Sequence, residues 1–91
     1  MSRPAPYKST PVFDETTLPE AIRSEHRTKP GTWGLLRVLE GAATLVFTGS
    51  GREVAVAPGQ PGVIPPQETH FVRLAGPLRC QVEFYREPPL P

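Results

Sequence analysis

Pro58-Gly59-Gln60-Pro61-Gly62-Val63-Ile64-Pro65-Pro66-Gln67-Glu68-Thr69-His70 is the stretch on which the reading of this chain turns. Two turn signals, Pro58-Gly59 and Pro65-Pro66, enclose a short apolar burst at 62–64. Such bursts between Pro and Gly breakers read as short strands. His70 then opens a further apolar run, 70–74.

The same grammar extends outward. Upstream, residues 52–57 alternate, with Val54 and Val56 on one parity and Glu53 and Ala55 on the other. Gly49-Ser50-Gly51 before them is a hairpin turn between that run and a strand over 42–48. Residues 32–40 make another strand, separated from 42–48 by Gly41. Downstream, 78–85 is the last strand. Near the N-terminus 11–13 reads as an edge strand, and 24–29 as extended and polar. Residues 17–23 hold the only helix signal, with Thr17 as cap and Pro19 in a first turn. Some eight short strands and at most one helical turn predict an all-β fold: a single-domain antiparallel β-barrel or jelly roll. The domain spans 10–87, with a flexible arm over 1–9 and a tail over 88–91.

Composition removes several function classes. Ninety-one residues make one domain. Ten basic against nine acidic side chains leave a net charge of +1. That balance gives no basic stripe for nucleic acid. No run approaches the roughly 20 apolar residues that cross a membrane, and Met1 to Tyr7 carries no signal-peptide core. Cys80 is the only cysteine, so no internal disulfide forms, which points to a reducing cytoplasm. A chain this short buries a limited share of its surface, so a homodimer is expected.

The stretch 58–70 resembles the second motif of the cupins, in which a Pro-bearing turn precedes a histidine that opens the next strand and points into the barrel. Glu25-His26-Arg27-Thr28-Lys29-Pro30-Gly31-Thr32-Trp33-Gly34, closed by Val38-Leu39-Glu40-Gly41, resembles the first motif. That motif normally carries His-x-His and then a glutamate. His26 stands at the first of these positions, Thr28 at the second, and Trp33 or Gly34 near the third. The strings EHRTKPGTWG, STPVFDETTLP and VEFYR resemble a narrower group: the small cupin-like domain of tellurite-resistance proteins, found free-standing or before a methyltransferase domain. The resemblance covers roughly Tyr7 to Arg86. No glycine-rich loop after a strand marks a methyltransferase half here.

The resemblance implies that His26 and His70, 44 positions apart, face one pocket. Imidazole is the commonest transition-metal ligand. A divalent metal, zinc first and nickel or iron next, is expected on His26, His70 and Gln67, with Glu68 or Glu83 as the other candidates for the third donor. Thr28 or Glu83 would support the ligands. Lys29 offers a compact cation for an oxyanion or carboxylate, whereas Arg27 reads as a solvated strand edge. Trp33 reads either as packing or as a pocket wall, and Glu83 faces either pocket or solvent. Cys80 alternates with Val82 and Phe84 and reads as a small buried apolar residue.

The expected function is a binding or sensing domain that holds a divalent metal and a small anion, with Lys29, Trp33, Glu83 and Thr28 around the ligand and a link to oxyanion tolerance. Two readings from other classes stand beside it. One is a metal-dependent enzyme of dioxygenase or isomerase type, and the other a metal-free dimeric module.

Overall fold

The computed structural model describes residues 5–89. Eight strands and one helical turn follow in order: β1 Lys8–Ser9, β2 Phe13–Asp14, α1 Glu20–Arg23, β3 Trp33–Glu40, β4 Ala43–Phe47, β5 Arg52–Val56, β6 Gly62–Ile64, β7 His70–Leu74 and β8 Arg79–Tyr85. All pairings are antiparallel. The strands from β3 onward stand within two residues of the runs read from sequence, because the breakers end each one.

Two sheets face each other in a small jelly-roll-like barrel. One has the order β1-β8-β3-β6, with β2 also on β8, and the other runs β5-β4-β7. In the first sheet β3 is the central strand, and both of its faces are covered. Leu36 and Val38 point into the barrel, while Leu35, on the opposite parity, is also fully buried. Across β8 the register sets Leu36 against Val82 and Val38 against Cys80. Phe47, Leu45 and Val56 enter the same core from the second sheet. Burying such side chains is the main favourable term in a domain of this size, at about 1.5–3 kcal/mol each.

Two glycines are there because the sheets come close. A Cβ on Gly62 would stand 2.9 Å from Val56 Cγ2 and 3.1 Å from Leu45 Cδ2, where β6 crosses the second sheet. Gly41 takes φ +81°, and a Cβ there would run into the carbonyl oxygen of Pro77.

Two expectations change near the N-terminus. The arm over 1–9 is not loose throughout. Lys8 and Ser9 pair with Phe84 and Glu83, and the Tyr7 amide donates to the Phe84 carbonyl at 2.9 Å. The edge of β8 has unpaired backbone groups, and chain of almost any composition can satisfy them. Met1 to Pro4 lie outside the described residues. The helical turn is real, but Thr17 does not cap it, since no side chain caps α1. Thr17 belongs instead to a turn built on Asp14, whose Oδ1 accepts from the amides of Thr16 and Thr17 at 2.8 and 2.9 Å. The Thr16 hydroxyl, which donates to the same oxygen at 2.7 Å, and then these amide bonds favour the carboxylate and pull the Asp14 pKa down to about 2. At the other end Pro89 is buried.

Candidate ligand pocket

His26 reaches the site through the backbone. Residues 24–29 do not form a strand; only His26 is paired. Its amide donates to the His70 carbonyl at 2.9 Å and the His70 amide returns a bond at 2.8 Å. Directly opposed residues place their side chains on one face, so the two rings meet. Their centroids are 4.2 Å apart and their planes tilt by 59°. The expectation that two distant histidines converge is correct in its geometry.

Both rings are held the same way. Nδ1 of His26 donates to the Ser24 carbonyl at 3.1 Å and Nδ1 of His70 to the Glu68 carbonyl at 2.8 Å. A carbonyl can only accept, so Nδ1 carries a proton in each ring and Nε2 is the free nitrogen. His70 is 1% exposed. Burial pushes its pKa down, the charge of His26 adds to this, and the bond to Glu68 opposes it. Among the described residues no buried side-chain nitrogen lacks a partner. With no bond of its own, the Nε2 atom of His70 therefore keeps contact with the cavity.

Two chambers meet beside His26. The inner one, about 50 Å³, is walled by Gly34, Leu36, Ile64, Val72 and Val82, with His70 in its lining. The outer one, about 380 Å³, is walled by Tyr7, Lys8, Arg27, Lys29 and Thr32. Ile22, His26, Thr28 and Phe84 border both and form a throat. Among the described residues three cations and no carboxylate line the outer chamber, so its field favours an anion. Thr28 fixes the throat: its hydroxyl donates to the Thr32 carbonyl at 2.9 Å and accepts from the Gln67 amide at 3.3 Å.

His26, His70, Lys29 and Thr28 are thus brought together. Gln67, Trp33 and Glu83 are not. Gln67 is exposed, lines neither chamber and sits at φ +63°, where its turn aims the side chain outward. Glu68 is spent on Arg52, 3.6 Å away. Trp33 and Glu83 fail by parity. On β3 Gly34 and Leu36 face the chamber, and on β8 Val82 and Phe84 do, so Trp33 and Glu83 take the opposite face. There Glu83 pairs with Arg37 at 3.2 Å and accepts from the Tyr85 hydroxyl at 2.9 Å. Cys80 is buried as expected, and burial raises its pKa, which leaves it an inert thiol.

Among the described residues no three His, Cys, Asp or Glu side chains converge on one point. The imidazole pair therefore fits a metal only as two donors, with every further donor drawn from solvent or ligand. Lys8, Arg27 and Ile22 belong to the site and were missed. Lys8 comes from the paired arm, Ile22 from α1, and Arg27 from a segment that reads as solvated.

A family model, that of the TehB-like domain, matches residues 8–82. The probable S-adenosyl-L-methionine-dependent methyltransferase TehB of Haemophilus influenzae (strain 10810) is 36% identical over 85 residues, which are 87% of this chain and 30% of that protein. The same protein from a second strain is 35% identical over the same span. This chain therefore spans about 30% of the length of the curated relatives it matches. The crystal structure of TehB from H. influenzae superposes with a TM-score of 0.79 at 32% identity, over 91% of this chain and 31% of that one. A protein of E. coli (strain K12) shares the fold over nearly its whole length, with a TM-score of 0.84 at 22% identity, covering 93% of this chain and 92% of that one. With a match that runs from β1 into β8, the chain belongs to the TehB-like domain family.

Proposed function

We propose that this domain is a binding module for a small anion, with a role in oxyanion tolerance of the tellurite type. The supporting observation is the outer chamber, whose wall presents, among the described residues, Lys8, Arg27 and Lys29 and no carboxylate. Lys29 and Lys8 act as compact, strongly hydrated charges, and Arg27 adds planar donors. Thr28 keeps the first segment docked on the 65–67 turn, so that the cations stand over the throat. The methyltransferase activity named for the full-length relatives concerns proteins more than three times as long and is not part of this reading.

Amide chemical shifts titrated with tellurite, sulfate and phosphate at constant ionic strength test it. The expected result is saturable shifts confined to 26–29, Lys8 and Phe84. In Lys29→Ala the affinity falls about five- to tenfold, in line with the loss of one partly desolvated charge–anion contact of about 1–1.5 kcal/mol. Absence of any saturable shift with all three anions sinks the proposal.

A second reading keeps a divalent metal at His26 and His70. It is favoured by the two Nδ1 bonds, which lock both rings with Nε2 free, as ligating histidines are held. A metal bound there would supply an open Lewis-acid position beside the cationic rim. Metal analysis of untagged protein, with zinc, nickel and iron titrations, checks it. It requires near-stoichiometric binding that His70→Ala abolishes; less than a tenth of an equivalent in both proteins rules it out.

A further inference from the structure

The two chambers make opposite demands of a ligand. The outer one rewards negative charge. The inner one is bounded by Gly34, Leu36, Ile64, Val72 and Val82, and its polar groups give an anion little. Thr28 already uses its hydroxyl hydrogen on Thr32. His26 and His70 have spent their Nδ1 protons on backbone carbonyls. The remaining walls, Ile22, Leu36, Ile64, Val72, Val82 and Phe84, are apolar and offer no donor. A bare oxyanion pushed past the throat would lose its water and gain no donor, at a heavy desolvation cost. It therefore stops at the rim and leaves the inner chamber unused.

An apolar group meets the reverse situation. The inner chamber, about 50 Å³, has room for about three or four water-sized groups. An apolar cavity next to a few placed charges is the usual shape of a small-molecule site. From this complementarity, and resting on the anion reading above, we propose that the ligand is an amphipathic organic anion: a small carboxylic acid whose head pairs with Lys8, Arg27 and Lys29 and whose short hydrocarbon end passes between Ile22 and Phe84 into the inner chamber.

The mechanism of selection follows. The cations set a common affinity for every member of the class. The chamber then adds a constant factor for each methylene that enters it, about fourfold, until its volume is filled. Further carbons stay in the outer chamber and gain little. The depth of the chamber thus reads chain length, and Gly34 sets part of that depth. A methyl group on Gly34 would lie 3.3 Å from Ile64 Cβ and Cδ1, inside the chamber, at a backbone conformation that any residue can adopt.

Calorimetric titration of the full chain with the straight-chain acids from acetate to octanoate is the test, with phosphate and 1-butanol as controls at constant ionic strength. Affinity is expected to rise about fourfold per carbon up to a plateau near butyrate or pentanoate, with phosphate and butanol at least tenfold weaker than the best acid. Gly34→Ala moves the plateau to a shorter acid. Ile64→Val, a milder change that enlarges the same chamber, moves it to a longer one and keeps the test alive if the first variant does not fold. Lys29→Ala weakens all acids by one common factor. If phosphate and every acid bind alike, the amphipathic ligand is wrong while the anion site stands. If butanol binds as well as butyrate, the cations play no part and the proposal falls. If no anion binds, the anion reading itself has failed.

Discussion

His70 shows how much one residue can carry. Its backbone holds His26 in place, it lines the inner chamber, and burial favours its neutral form. In the unfolded chain an imidazole titrates near 6.5; in the fold, desolvation holds it lower. Between those two values the unfolded state binds a proton that the folded state refuses. Stability is therefore full above about pH 6.5 and falls as the pH drops towards the folded value. Thermal melts between pH 7.5 and 5 should show Tm falling with acidification. His70→Gln, although less stable at pH 7.5, should show a flatter profile over that window. A wild-type Tm independent of pH in this range contradicts the assignment. Asp14 acts lower down: its stabilisation is present above the ordinary carboxyl value of 3.8 and is lost as the pH falls towards about 2. The two effects are therefore separable.

At the scale of the elements, turns decide more than strands. The strands from β3 onward were legible because apolar parity and Pro-Gly breakers are local signals. Gly41 is the tightest of the turns. Its φ of +81° suits glycine, and any Cβ meets the Pro77 carbonyl. Gly41→Ala should lose about 2–4 kcal/mol of stability, measured by urea unfolding, because left-handed strain and a backbone clash add. A loss under 0.5 kcal/mol would mean that the 76–78 turn yields freely. Elements also explain which site residues could be read in advance. The parity of Cys80, Val82 and Phe84 already sets Glu83 on the other face, and Gly34 with Leu36 does the same for Trp33. What parity does not reveal is which face is the pocket, and for Trp33 and Glu83 that remained open until the second sheet was in place. Gln67 was lost for a different reason. Its motif position is beside His70, but a left-handed turn residue directs its side chain by the turn.

For the whole molecule, the first residues and the last strand form one structural unit. β1 caps the free edge of β8 and brings Lys8 to the outer chamber. Deleting residues 1–9 should lower the Tm by several degrees and weaken anion binding at least threefold in the same shift titration, since it removes edge pairing and one rim cation together. An unchanged affinity would place the anion elsewhere. The match to 30% of a longer relative and to 92% of a short one agrees with a fold that occurs both within a larger protein and as a small chain. Along this chain, breaker spacing and apolar alternation were enough to determine the all-β class and the strand positions from β3 onward, because these depend on each residue and its near neighbours; the inward turn of His70 was implied by the motif resemblance. The arm's pairing, the place of Arg27 and Lys8 at the rim, and the lack, among the described residues, of a third ionisable donor beside the two imidazoles were decided by the tertiary structure alone. They depend on which distant segments satisfy an open strand edge and which face of each sheet is covered, and contacts of that kind have no period in the sequence.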